Sequence, residues 1–393
     1  MVKPLDGIKV LDLSRYLPGP LCTQILADFG AEVVKVEDPN GGELGRQVPP
    51  YIEGESARFY TVNRNKKSLS LNLKKPEGKE IFKKLSSKAD IIVDQFRPGV
   101  MEKMGLGYDN LKVLNKRLIY CKLSGYGMTG PMCNNAGHDL NYLNIAGVTE
   151  LTGNREGDPA MCGVQIADTA GGSLFSVISI LLALAAREKT GEGQLCDVAM
   201  LDSAISLLAY TIGAWSGEGK LPQRGDDLLM GGYACYSIYE CRDGKYVGLG
   251  AIEKKFWAEF CKRIDKEEYI EEQNNRGKQE IIKADIKQIM LQKSRDEWVE
   301  FFSDLDICFT PVLTLDEMAK HPQVLAREMI RVFDNYKGSG KDLVLTGIPI
   351  QLSATPGEIK FNFPALGEHN REILMALGYA PDQIDQLRAN QVI

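Results

Sequence analysis

The opening stretch of the chain constrains its architecture more than any other segment. Residues 8–13 form a short apolar run that reads as a strand, residues 20–29 follow at helical spacing, and residues 31–36 read as a second strand. A strand, a helix and a strand within about thirty residues make a βαβ unit, which forces parallel pairing and a right-handed crossover. The alternation continues. Residues 76–87 are amphipathic, residues 91–93 are a strand ending in Asp94, residues 109–115 are a short helix, and residues 118–123 are another strand. Repeated alternation of this kind builds a parallel sheet covered on both faces.

The pattern then changes. Residues 169–187 and 197–215 read as two long apolar helices, followed by a Gly- and Lys-rich break at 216–220. Residues 236–250 alternate as strands around Arg242–Lys245, whose Asp-Gly pair is a hairpin signal. Residues 253–304 are charged and helical, and a last helix near 368–377 packs back on the first domain. The expected fold is α/β: a Rossmann-like parallel-sheet large domain, residues 1–200 plus 331–393, with a smaller α+β domain at 225–330 and a linker at 201–224.

Composition narrows the functional classes. A formal net charge of -6 disfavours nonspecific nucleic-acid binding, which needs a basic footprint. Nine cysteines without a CxxC pair fit reduced thiols and a cytoplasmic location better than a disulfide frame or a zinc site. Residues 2–8 lack the apolar core of a signal peptide, and the greasiest stretch, 174–186, is short for a bilayer and reads as a buried core helix. No membrane role and no metal are expected.

Three blocks carry candidate chemistry. His138, the only histidine before position 321, lies thirty positions ahead of Asp168, and Glu253 follows in a Gly-Ala-Ile-Glu run. An imidazole and carboxylates beside small residues suit proton transfer, because histidine titrates nearest neutrality. Each also has a plain reading: His138 as a loop residue, Asp168 as the N-cap of an apolar helix, Glu253 as a helix-start carboxylate. Gly125, Gly127 and Gly130 match GxGxxG after a strand, but Pro131 and a continuing loop replace the helix that a dinucleotide fingerprint requires. These glycines are expected instead to shape a loop that crowds a ligand or another backbone. Arg64, Lys66, Lys67 and Arg97 offer loop cations suited to phosphate, or simply a solvated surface.

Taken together the blocks resemble the family III CoA-transferase superfamily of the CaiB/BaiF type, which includes the α-methylacyl-CoA racemases. The resemblance runs over nearly the whole chain, through residues 5–13, Pro18–Pro20, Asp28–Glu37, Asn63–Ser68, Phe96–Val100, Gly105–Tyr108, Ser124–Pro131 and Thr190–Gln194. At the site it is most similar to the racemase branch, which pairs a Gly-His-Asp-Ile/Leu-Asn-Tyr block with Gly-Ala-Ile-Glu; His138 and Glu253 occupy those motifs here. Asp38 stands where many members place a basic residue against the CoA adenine.

That resemblance implies a racemase of 2-methyl-branched acyl-CoA esters. His138 and Asp168 would exchange the α-proton on opposite faces of an enolate, with Glu253 orienting the imidazole and Asp139 and Tyr142 in support. Backbone N–H groups at the start of the helix after Asp168 would stabilise the enolate, the glycines there allowing close approach. Coenzyme A would enter as part of the substrate, with no tightly bound cofactor, held by Arg97, Lys66, Lys67, Arg64, Leu73, Lys74, Phe96 and Gly137. The alternative is a CoA-transferase in which Asp168 attacks the acyl carbonyl, with Gly231 and Gly232 shielding the intermediate. An interlocked homodimer is implied, the small domain of one chain carrying Glu253 to the His138 of the other. An aspartate, ordinarily near 3.9, needs its pKa raised by about three units to act as an acid at neutrality, at a cost on the order of 4 kcal/mol supplied by burial or a second carboxylate.

Overall fold

A computed structural model describes residues 2–360 and 363–393. The chain divides into two compact units. The first comprises residues 1–146, 164–207 and 322–393 and is built on six strands. These are β1 (Lys9–Leu13), β2 (Glu32–Glu37), β3 (Lys66–Ser70), β4 (Ile91–Asp94), β5 (Ile119–Ser124) and β6 (Leu195–Ala199). They lie in the order β3-β2-β1-β4-β5-β6 and every pairing is parallel. This is the Rossmann strand order, in which the connections reverse direction between β1 and β4 and leave a crevice at the carboxyl ends of the strands. The expected α/β class is the observed one.

Strands covered on both faces need continuous apolar runs. Ile91, Ile92 and Val93 are fully buried, and Val10, Leu11 and Leu13 nearly so. Charge nonetheless runs through the sheet. Asp12 registers against Lys35 on β2, and Asp94 against Lys122 on β5. Lys122 Nζ lies 2.6 Å from Asp94, and Asp12 accepts from Lys66 Nζ at 3.0 Å, all with buried side chains. Burial alone would raise the Asp12 pKa, but the ammonium groups of Lys35 and Lys66 hold it well below the usual carboxylate range.

Several expectations need correction. Residues 195–199 are the edge strand β6, so the helix expected from 197 starts later; Cys196 and Val198 are buried while Leu195 and Asp197 are exposed, a two-residue period. Helices follow at Met200–Ser206 and Ala209–Glu218, with a break between them. Lys66 and Lys67 open β3 and are not in a loop. The apolar helix read at 169–187 extends a little further at both ends, and the reading of its greasiest stretch, 174–186, as short for a bilayer needs correction. It runs from Ala167 to Thr190, 24 residues, which by length and composition is enough to cross a membrane. Only 39% of its most apolar window is buried. Val177, Ile180 and Ala183 face the protein while Ile178, Leu181 and Leu182 are exposed, so it is a core helix on one face alone.

The second unit comprises residues 147–163 and 208–321, so residues 208–224 belong to it instead of forming a linker, and it ends before 330. Segment 147–163 was not legible as part of this unit, because long-range polar contacts attach it. Arg155 pairs with Asp226 at 3.2 Å, and Arg224 Nη1 donates to the Glu150 carbonyl at 3.1 Å. Strands β7 (Tyr236–Glu240) and β8 (Tyr246–Gly250) form the expected hairpin, and β9 (Phe309–Pro311) adds antiparallel to β8. Helices Lys254–Arg263, Gln279–Met290 and Arg295–Phe301 pack there around Trp257, Phe260, Trp298 and Phe302.

Candidate active site

A cavity of about 620 Å³ opens in the first unit at the carboxyl ends of the strands. Arg15 and Tyr16 enter it from the loop after β1, Gln95–Arg97 from the loop after β4, and Ser124 and Gly125 from the end of β5. These loops flank the point where strand order reverses, the expected place for a ligand. His138 and Asp168 line the same cavity.

His138 immediately precedes the Asp139–Ala146 helix. Its carbonyl accepts from the amides of Asn141 and Tyr142, and its own N–H donates to Asn141 Oδ1 at 3.0 Å. That last bond is the reciprocal arm of a capping box, so the His-Asp-Leu-Asn order itself starts the helix and leaves the imidazole outside it. The residue is exposed, at the cavity wall.

Asp168 is not an N-cap. It is the second residue of a π-helical turn, Ala167–Leu174, that leads into the Phe175–Thr190 helix. Its amide donates to Asp139 Oδ1 at 3.0 Å, so Asp139 caps Asp168 and not the reverse. Burial, and then the Asp139 carboxylate, push the Asp168 carboxyl up to about 7. Burial also raises Asp139, opposed by the amides of Asp168 and Ala167. Desolvation with a neighbouring like charge keeps a carboxylic acid partly protonated at neutrality.

Tyr142 closes the wall. Its hydroxyl donates to the Gly137 carbonyl at 2.6 Å, and its ring meets Tyr126 edge-on, with centroids 5.1 Å apart. Burial, with the Asp168 charge behind it, raises the phenol pKa and keeps it a donor. Of the GxGxxG-like stretch only Gly125 crowds this ring, a Cβ there lying 2.4 Å from Tyr142 Cε1; outside the stretch, one on Gly137 would lie 2.7 Å from the same atom. The neighbour that requires glycine at position 125 is therefore a side chain.

The amides expected to stabilise an enolate are already engaged, Asp168 N–H with Asp139 and Thr169 N–H with the Gln165 carbonyl. The glycines after them serve packing: a Cβ on Gly172 would lie 2.8 Å from Pro18 Cβ, and one on Gly171 would lie 3.1 Å from the Met200 carbonyl.

Of the expected CoA ligands, Arg97, Phe96 and Gly137 line the cavity. Lys66 is fully buried, donating to Asp12, Asn63 and the Pro20 carbonyl. Arg64 is buried against Asp28, with Nη2 2.7 Å from the carboxylate. Both are corrected to structural cations, since an ammonium or guanidinium committed to a buried carboxylate has no donors to turn toward a phosphate. Lys67 pairs with Glu32 and Glu372, Leu73 packs on the core, and Lys74 is exposed; none of them lines this cavity. Asp38 accepts from the backbone and side chain of Asn40 in a local turn. Glu253 lies in the second unit, exposed, as the residue before the Lys254–Arg263 helix. The sequence reading missed Arg15, Tyr16 and Gln95. Their signal was position, directly after β1 and β4, where loops of such sheets meet ligands.

Comparison with known proteins identifies the family. The family model described as CoA-transferase family III matches residues 5–370. The chain is 33% identical to the alpha-methylacyl-CoA racemase of Homo sapiens, over 99% of this chain and 97% of that protein. It is also 33% identical to the succinyl-CoA:glutarate CoA-transferase of Mus musculus, over 100% of this chain and 91% of that one. A CAIB/BAIF family protein from Brucella suis superposes with a TM-score of 0.83 at 30% identity, covering 96% of this chain and 100% of the other. A parallel sheet in Rossmann order, a carboxyl-end cavity holding Asp168, and a match from residue 5 to residue 370 lead to one assignment: the chain belongs to CoA-transferase family III.

Proposed function

We propose that the protein racemises 2-methyl-branched acyl-CoA thioesters by exchanging the α-proton through an enolate. One of His138 and Asp168 takes the proton from one face of the α-carbon, and the other returns a proton to the opposite face. The observation that carries this reading is the Asp168 carboxyl, pushed up to about 7 in a cavity that also holds His138. A carboxyl that is half protonated near neutrality delivers and receives protons equally well, and acid/base groups so tuned contribute roughly 10²–10⁴-fold each. Glu253 is assigned the role of orienting the imidazole from the resemblance alone. The exposed row of Ile178, Leu181 and Leu182 supports a homodimer, and nine free cysteines support a cytoplasmic location.

The test is incubation of a single enantiomer of a 2-methylacyl-CoA in D₂O without an acceptor acid, followed by NMR of the α-carbon. Deuterium gain with loss of optical purity is expected; in His138→Ala the loss of optical purity should vanish, while exchange with retention survives only for the enantiomer whose proton faces Asp168. Absence of deuterium in the wild-type protein removes the racemase. The equal similarity to a succinyl-CoA:glutarate CoA-transferase supports a second reading, in which Asp168 attacks the acyl carbonyl and CoA thiolate leaves. Trapping with hydroxylamine in the presence of acyl-CoA, with the label mapped to Asp168, would select it.

A further inference from the structure

The loop from Ser14 to Tyr16 is fixed at every backbone position by a buried or half-buried side chain. Ser14 N–H donates to Asp12 Oδ1 at 2.9 Å, Arg15 N–H to Gln95 Oε1 at 3.0 Å, and Tyr16 N–H to Glu43 Oε2 at 2.9 Å. The Ser14 carbonyl accepts from the buried Lys35 Nζ at 2.9 Å. Tyr16 sits in the left-handed region at φ 61, a conformation that costs a side-chain-bearing residue on the order of 1–2 kcal/mol. Gly19 is also constrained, because a Cβ there would lie 2.1 Å from Ser14 Cβ. Backbone strain held by four separate anchors is the pattern of a loop whose side chains must be aimed.

Arg15 is the side chain so aimed. It lines the cavity, half-buried, with its guanidinium carbon 4.3 Å from the centre of the Phe96 ring. Among the described residues its guanidinium makes no hydrogen bond and no ion pair, whereas the buried Arg64 and Arg46 are each locked to a carboxylate. Stacking on an aromatic ring occupies one face of the guanidinium and leaves its planar edge, with its forked N–H donors, free for a bidentate oxyanion.

We propose that Arg15 binds an oxyanion carried by the thioester substrate, either a carboxylate on the acyl group or a phosphate of CoA. The inference rests on the acyl-CoA reading above but not on racemisation. Phe96 holds the guanidinium plane, and Gln95, Asp12, Glu43 and Lys35 are positioning residues that hold the loop carrying it.

The test is calorimetric titration of the full-length protein and of Arg15→Gln with CoA, butyryl-CoA and succinyl-CoA. One charge-assisted bond pair predicts an affinity loss of about tenfold or more. Loss of that size for all three ligands assigns a phosphate, and loss confined to succinyl-CoA assigns an acyl carboxylate. Either result supports the proposal. Unchanged affinity for all three, with an unchanged circular dichroism spectrum, overturns it. Arg15→Lys keeps the charge without the fork and should lose an intermediate amount; it also provides the comparison should Arg15→Gln fail to fold. Wild-type protein that binds the thioesters but exchanges no α-proton would remove the racemase and leave Arg15 in place. Wild-type protein that binds none of the three would remove both.

Discussion

Replacing Asp168 by Asn tests the proton-donor assignment without any substrate. The folded protein holds this carboxyl at about 7 where the unfolded chain has it near 3.8. Between those values the folded state binds more protons than the unfolded one, so stability falls as pH rises from about 4 to about 7. At about 1.4 kcal/mol per pH unit the ceiling on this loss is about 4 kcal/mol. Asp168 is only partly shielded, and solvent screening brings the expected loss to about 2 kcal/mol. Asparagine keeps the shape and carries no charge. The variant should therefore match the wild type near pH 3, below the unfolded value, and exceed it by about 2 kcal/mol at pH 8. Urea unfolding at several pH values, read as the difference between the two proteins, measures this directly. A difference that does not change with pH would mean that Asp168 is an ordinary ionised carboxylate, and the acid role would fall with it.

Two further outcomes follow from the packing. Gly125→Ala would set a methyl group 2.4–2.6 Å from three atoms of the buried Tyr142 ring, so we expect a destabilisation of about 2 kcal/mol together with a fall in kcat. An unchanged melting temperature and turnover would contradict the packing. Lys66→Met removes one of the two ammonium groups beside buried Asp12 and should cost about 3–5 kcal/mol by leaving that charge undercompensated. The CoA affinity of the folded fraction should hold, whereas Arg97→Gln should weaken CoA and spare stability. A Lys66→Met protein of normal stability that had lost CoA affinity would return Lys66 to the ligand site.

What the sequence made legible was periodic or local. The βαβ opening, the Asp-Gly hairpin at Arg242–Lys245 and the alternation through β5 all reappear in the fold, because each is written in spacing and turn chemistry. Asp168 and His138 were legible as a pair, and so was the need for burial or a second carboxylate to raise Asp168; Asp139 supplies that carboxylate. Contacts between distant segments were not legible. Lys66 looks like a surface cation until β3 sets it beside Asp12, fifty-four positions away. Segment 147–163 falls within the expected large domain until Arg155 reaches Asp226. Residues 197–199 run on directly into the helix that starts at Met200, and only pairing with β5 sets the boundary between them. Arg15 was passed over because a single arginine carries no pattern; its role depends on the ring beneath it and the bonds behind it.

The π-helical turn at Ala167–Leu174 makes the direction of the Asp168 carboxyl a matter of helical phase. Each α-helical residue advances the azimuth by about 100°. A wide turn in the backbone ladder shifts that phase between the Phe175–Thr190 shaft and the residues ahead of it. Deleting one residue within the turn would let the ladder close as a regular α-helix and swing the carboxyl round the axis, away from Asp139, with every side chain retained but one. Chemistry at this site is thus vulnerable to a change of count as well as to a change of residue.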